Sequence, residues 1–182
     1  MRGNILVIIG IVMLFAGVFI IGNVQYFSKK HTEFIENGVV TIEDEQLRTT
    51  TKLVGEWAFY PNVLIPAEES LASYAHERIL IKVPGDLTNY VQRNKEGVSV
   101  GTYHLKVNVP IEEQYGLYIQ TIRQANRVFI NGVEVGSKGN PTATFSERHS
   151  ENADKYTVFA HSNNRELDIV IHVSNYNYPQ AN

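Results

Sequence analysis

The sequence predicts an all-β fold, an antiparallel sandwich of short strands, standing behind one amino-terminal transmembrane helix. Three observations carry that expectation. The chain opens on a long uncharged apolar run, alternates apolar and polar residues in short segments after Leu53, and places Asn131-Gly132 between two β-branched runs. Outside the opening run, helical periodicity is weak.

The apolar run comes first. Gly3 to Ser28 carries no charged side chain, and thirteen of the seventeen residues from Ile5 to Ile21 are Ile, Leu, Val or Phe. As a helix, Ile5 to Val24 would be about 30 Å long, the thickness of a bilayer's hydrocarbon core. Those thirteen side chains favour insertion by about 4–8 kcal/mol. The run is longer than the apolar part of a cleaved signal peptide, and Gly22-Asn23-Val24-Gln25-Tyr26-Phe27 offers no small-x-small cleavage site. Residues 1–28 are therefore expected to be a retained signal anchor. Arg2 and the amino terminus compete with Lys29 and Lys30 under the positive-inside rule. Their balance favours an extracytoplasmic location for residues 31–182 by a small margin.

Residues 29–50 are polar, with Glu43-Asp44-Glu45 in the middle. They read as a stalk with a short strand at Gly38–Ile42. Residues 51–178 read as the sandwich and 179–182 as the start of a linker to a further region. Ile79 to Val83 is a strand stopped by Pro84-Gly85-Asp86. Tyr103, Leu105, Val107 and Val109 alternate with His104, Lys106 and Asn108, the period of a half-buried strand. Leu117 to Ile122 gives another strand. Asn131-Gly132 between Val128-Phe129-Ile130 and Val133-Glu134-Val135 predicts a type I′ hairpin. Leu167, Ile169, Ile171 and Val173 alternate in a last strand, and Pro66 to His76 could form one short helix. Trp57, Phe59 and Tyr60 are expected in the core. Ser174-Asn175 is expected to satisfy backbone groups where the last strand leaves the sheet.

Charge and composition exclude several function classes. A net charge of −3 and a pI near 6.1 leave no footprint for nucleic acid. There is no cysteine, hence no disulfide framework. The six histidines show no metal-ligand spacing, and neither a Gly-x-Ser-x-Gly elbow nor a phosphate-cradling loop is present. The acidic pairs Glu68-Glu69, Glu112-Glu113 and Glu43-Glu45 fall in polar loops or the stalk. No catalytic role, cofactor or metal is expected.

The order of motifs resembles the extracellular sensor domains of 7TM-DISM-type bacterial membrane signalling proteins. The matching residues are Gly55-Glu56-Trp57-Ala58-Phe59-Tyr60, Val83-Pro84-Gly85-Asp86 and Gly101-Thr102-Tyr103-His104-Leu105. Ala125-Asn126-Arg127-Val128-Phe129-Ile130-Asn131-Gly132 and Ile171-His172-Val173-Ser174-Asn175-Tyr176 complete the series. The same series is similar to the sugar-binding domain of family 2 glycoside hydrolases. His104 departs from the pattern, standing where an Arg often follows the Thr-Tyr pair.

The resemblance implies a jelly-roll β-sandwich of the galactose-binding-like class. It implies a non-catalytic ectodomain that binds a carbohydrate or other small ligand and signals through membrane helices, as in histidine kinase or cyclase receptors. A carbohydrate-binding accessory domain of a cell-surface glycosidase and a protein-binding scaffold domain stay open as alternatives. Sugar recognition needs stacking faces and planar polar groups. The outward strand and loop residues that could supply them are Arg127, His104, Arg148, Arg123, Asn126, Lys138 and Tyr176. The expected partners are the membrane and a small-molecule or glycan ligand or a partner protein, without nucleic acid; a homodimer stays open.

Overall fold

The computed structural model describes residues 13, 15, 31–87, 89–120, 122, 125–144 and 155–176. The expected anchor lies almost wholly outside these, and no described helix is long and apolar enough to cross a membrane.

Ten strands follow in chain order: β1 (His31–Ile35), β2 (Val39–Thr41), β3 (Thr51–Pro61), β4 (Ile79–Val83), β5 (Val98–Asn108), β6 (Gln114–Ile119), β7 (Ala125–Ile130), β8 (Val133–Lys138), β9 (Tyr156–His161) and β10 (Glu166–Tyr176). The described helical structure beyond single residues is confined to two short 3-10 turns, Asp44–Gln46 and Leu71–Tyr74, the second standing where a helix over Pro66–His76 was expected. The Val83–Pro84 peptide is cis.

The alternating segments become strands for the reason their pattern gives. β4 spans the expected Ile79–Val83, and β5 and β10 pair antiparallel along their whole length, from Glu166 opposite Asn108 to Tyr176 opposite Val98. Their inward residues Leu105, Val107, Leu167, Ile169, Ile171 and Val173 are all buried. The Asn131-Gly132 hairpin forms as expected, both residues at positive φ (52° and 77°) between β7 and β8.

Eight strands make one large sheet, with path β1-β3-β5-β10-β7-β8, β4 on β3 and β2 on β5. β6 and β9 form a second, two-stranded sheet. Between the layers lies the main core, where Ile119 and Val158 from the small sheet meet Trp57, Val128, Ile130 and the inward rows of β5 and β10. Trp57, Phe59 and Tyr60 are all buried, as expected. Tyr60 alternates to the opposite face and packs with Ala58 and Ile65 in a smaller cluster that also takes in Leu71 and Tyr74.

Two expectations are corrected. The large sheet is mixed, not antiparallel: β1 pairs parallel with β3, and β2 parallel with β5. Within the segment expected as a stalk, His31–Ile35 and Val39–Thr41 thus belong to the sheet, the second of them within the short strand expected at Gly38–Ile42. β3 and β5 pair directly only over Ala58–Pro61 and Gly101–His104. Where they part, residues 31–41 fill the wedge. The Gly38 N–H donates to the Glu56 carbonyl (2.8 Å), and the Gly38 carbonyl accepts from the Lys106 N–H (3.0 Å). Ile35 and Val40 are buried there as apolar anchors. Close approach of β1 needs Gly55, at φ 133°, where a Cβ would stand 2.4 Å from the Ile35 carbonyl oxygen. The second correction concerns Ser174. It lies inside β10, fully buried, and its Oγ bonds to nothing, because β10 keeps its ladder through Tyr176.

Gly101 tests the packing. A Cβ there would lie 2.3 Å from the buried Phe59 ring. Gly101→Ala is expected to cost about 1–3 kcal/mol in urea unfolding followed by Trp57 fluorescence. A midpoint equal to wild type would show that the Phe59 ring has room to yield.

Candidate functional site

The outer face of the large sheet, turned away from the small sheet, carries the groove. One segment makes its wall. After β3 the chain turns back over the sheet, and Ile65, 1% exposed, is held on both sides of its backbone. Its N–H donates to Thr102 Oγ1 (3.1 Å), and its carbonyl accepts from His172 Nε2 (2.7 Å). The Thr102 hydroxyl in turn donates to the Val63 carbonyl (2.8 Å). Because the carbonyl only accepts, Nε2 of His172 carries the proton. Burial pushes the His172 pKa below its ordinary 6.5; the Ile65 carbonyl opposes that and the Arg127 charge reinforces it.

Between this segment and the sheet lies a groove of about 590 Å³. Its floor is the outward row of β5 and β10 with Phe129 of β7, and the Asn131-Gly132 and Asn163-Asn164 turns close one end. Pro66 to Ala72 forms the wall, bringing Glu69, Ser70 and Leu71 to it. Phe129 is backed by the His172 ring, with centroids 4.9 Å apart.

Antiparallel register arranges the floor's charges. Lys106 stands opposite Asp168, and His104 opposite Val170, so Lys106 and His104 each reach diagonally to the next carboxylate. His104 Nε2 meets Asp168 Oδ1 at 2.5 Å, and Lys106 Nζ meets Glu166 Oε1 at 3.0 Å. The His104 hydrogen bond holds the Asp168 carboxyl below the usual carboxylate range against the pull of burial, helped by the His104 and Lys106 charges. Asn131 locks the hairpin to this floor: its Oδ1 accepts from the Asp168 N–H (2.9 Å), and its Nδ2 donates to the His161 carbonyl (3.0 Å). The result is an open site with carboxylate and amide acceptors, ammonium and amide donors, and apolar patches from Leu71, Phe129 and Val170. Among the described residues, no group of three or more His, Cys, Asp or Glu is arranged to hold a metal ion.

Of the seven residues singled out in the sequence, four have described side chains, and among these His104 alone lines the groove. Arg127 lies on the same outer face of β7 but away from the lining, with Nη2 donating to Asn140 Oδ1 (2.8 Å) and Nε 3.5 Å from Glu134 Oε2. Asn126, expected to point outward, is corrected: its neighbour in the strand faces out, so Asn126 faces in, fully buried, accepting from the Tyr156 hydroxyl. Lys138 sits at the sheet edge with its ammonium 6.0 Å from the Tyr156 ring centroid. Arg123 and Arg148 lie outside the described residues, as does the side chain of Tyr176. Lys106, Glu166 and Asp168 were missed: the period-two placement of Lys106 beside His104 was readable, but the pairing of both with Glu166 and Asp168 depends on the register between β5 and β10, distant in the chain.

No protein-family model matches the chain, and no curated protein matches it. Among solved structures it is similar to part of the β-glucuronidase from Ruminococcus gnavus. In complex with uronic isofagomine, that enzyme is 14% identical with a TM-score of 0.44, over 67% of this chain and 20% of the enzyme. In complex with uronic deoxynojirimycin, the figures are 15% and 0.43, over 76% of this chain and 23% of the enzyme. The chain therefore spans about a fifth of the length of the enzyme it resembles.

The histidine clamp gives a pH signature. The folded state resists protonating His172, whereas the unfolded chain takes that proton near pH 6.5. Stability is thus expected to fall as pH drops below about 6.5, until the folded pKa is reached, with a slope of at most about 1.4 kcal/mol per pH unit from this group. Asp168 adds a separate loss at lower pH, below its ordinary 3.8, as its depressed folded pKa is crossed. In urea melts at successive pH values, His172→Gln should flatten the first limb and leave the second.

Proposed function

We propose that the β-sandwich is a non-catalytic ligand-binding domain that takes a carbohydrate or similarly hydroxylated small ligand in the groove between Pro66–Ala72 and the β5–β10 floor. The supporting observation is the groove itself. Its 590 Å³ lies within the size of small-ligand sites, about 300–1,000 Å³, and it joins apolar patches to a few placed polar groups, as such sites do. Those polar groups suit hydroxyls. Paired carboxylates accept, Lys106 and the Asn163 and Asn164 amides donate, and Leu71 and Val170 meet the ring's C–H faces. A nucleophile poised against a base is missing from this lining: Ser70 Oγ accepts from the Ala72 N–H and caps the 3-10 turn. The domain is held outside the cytoplasm by the apolar run of residues 5–21, as a sensor module would be. Ligand binding biases such a sensor only as far as its affinity differs between the two states of the receptor.

The full 182-residue chain, in a sugar-free detergent, is to be screened by thermal shift and calorimetry against mono- and disaccharides. A saturable hit is expected, weakened about tenfold or more by Asp168→Ala, which leaves His104 without its carboxylate. Hits that survive His104→Ala and Asp168→Ala unchanged would move the site elsewhere, and a screen without hits would remove the carbohydrate reading.

A further inference from the structure

The charges lining the groove are unbalanced, and the imbalance is distributed over both sides. Glu166 and Asp168 stand on the floor, Glu69 on the wall. Against these three carboxylates the lining sets Lys106 and His104. Arg165, between Asn164 and Glu166 in the chain, does not line the groove. Carboxylates outnumber cations in either protonation state of His104. Lys106 is committed to Glu166 at 3.0 Å and His104 to Asp168 at 2.5 Å. Glu69 receives only a neutral donor, the Tyr74 hydroxyl, at 2.6 Å. The wall therefore presents a carboxylate matched by no described cation, above a floor whose Lys106 and His104 are already paired with carboxylates. A concave site lined by one excess sign concentrates ligands of the opposite sign.

The rest of the lining limits what such a cation can be. Ser70, Asn163 and Asn164 offer hydroxyl and amide groups, while Leu71, Phe129 and Val170 supply apolar surface. A bare metal ion would leave both unused. From this arrangement we infer that the groove selects a sugar bearing a free, protonated amine: the ammonium sits toward Glu69, the ring hydroxyls meet the amides and paired carboxylates, and the ring rests on the apolar floor. The inference depends on the groove being the carbohydrate site proposed above, and it goes further by assigning the sign of the ligand's charge.

Calorimetry on the full chain compares three probes: the β-1,4-linked disaccharide of glucosamine, its N-acetylated counterpart, and a glucuronic acid disaccharide. The free amine should bind about fivefold or more tighter than the N-acetylated form at low salt. That preference should shrink in 0.5 M salt, about the level at which exposed charges are screened. The uronate should bind weakest. Glu69→Gln should reduce the preference by about 2- to 5-fold, the range of an exposed ion pair. The exposed Glu112→Gln, outside the groove, should leave it intact. Equal or tighter binding of the N-acetylated disaccharide would overturn the charge assignment and leave the carbohydrate site standing. A lysine oligopeptide competing as tightly as the amino sugar would overturn the sugar part. If none of the three sugars binds, the carbohydrate reading fails with the inference. The wild-type comparisons decide the matter even if Glu69→Gln is unstable.

Discussion

The clamp on Ile65 is the constraint on which the outer face depends. A sheet with one face on a core has a second face with no strand to cover it, and here a non-repetitive segment does so. Such a segment has no ladder to satisfy its backbone, and a buried unpaired N–H or carbonyl costs about 1–3 kcal/mol. Thr102 and His172 remove that cost at Ile65, one supplying an acceptor and the other a donor. Both reach outward from adjacent strands, His172 directly opposite Thr102 in the β5–β10 ladder. The wall of the groove and its floor are therefore positioned by the same two strands. A shift of the wall requires breaking a bond into the floor.

The same two strands meet the amino-terminal segment. β5 is paired over its full length with β10 on one side, and on the other first with β3 and then with β2. Val39 stands opposite Lys106, and the Lys106 N–H donates to the Gly38 carbonyl. Residue 106 thus contributes its backbone to the hook and its side chain to the groove. The apolar run expected to hold the domain at a membrane ends at Ile21, ten residues before β1 begins. The path from that run to the groove passes through one inserted strand pair, with no flexible stalk in the described part.

How much of this was legible depends on whether the signal was local. The alternation in Tyr103–Val109 and Leu167–Val173, and the Asn131-Gly132 turn, are short-range patterns, and each became the expected element. β1 was not legible because its partner is remote and its buried Ile35 stands beside the exposed Phe34, which breaks any alternation. β9 was hidden in the same way: Val158 and Phe159 are adjacent, one buried in the main core and the other exposed over Gly116. The parallel pairings leave no trace in composition at all, since they follow from a wedge that exists only once β3 and β5 diverge. For the site, His104 was found as a polar residue on a good strand. Glu166 and Asp168 needed the antiparallel register, and Glu69 needed the fold of a loop.

The groove's charges contribute little to holding the fold. Lys106 and Glu166 expose 41% and 36% of their side chains, and Asp168 exposes 39%. Exposed pairs of this kind are worth at most about 1 kcal/mol each. The stability lies on the other face, where Leu105, Ile169, Val128 and their neighbours exclude water almost completely, each worth about 1.5–3 kcal/mol on full burial. Strand alternation thus divides labour within single strands: along the groove, Leu105, Val107, Leu167, Ile169 and Ile171 build the core, while His104, Lys106, Glu166 and Asp168 between them present polar chemistry on a rigid frame. That separation lets the polar row change without loss of the sheet, and it holds the row in register. Two charges placed diagonally on a ladder pinned at both ends keep their spacing when a ligand arrives, so little of the binding free energy is lost to ordering them.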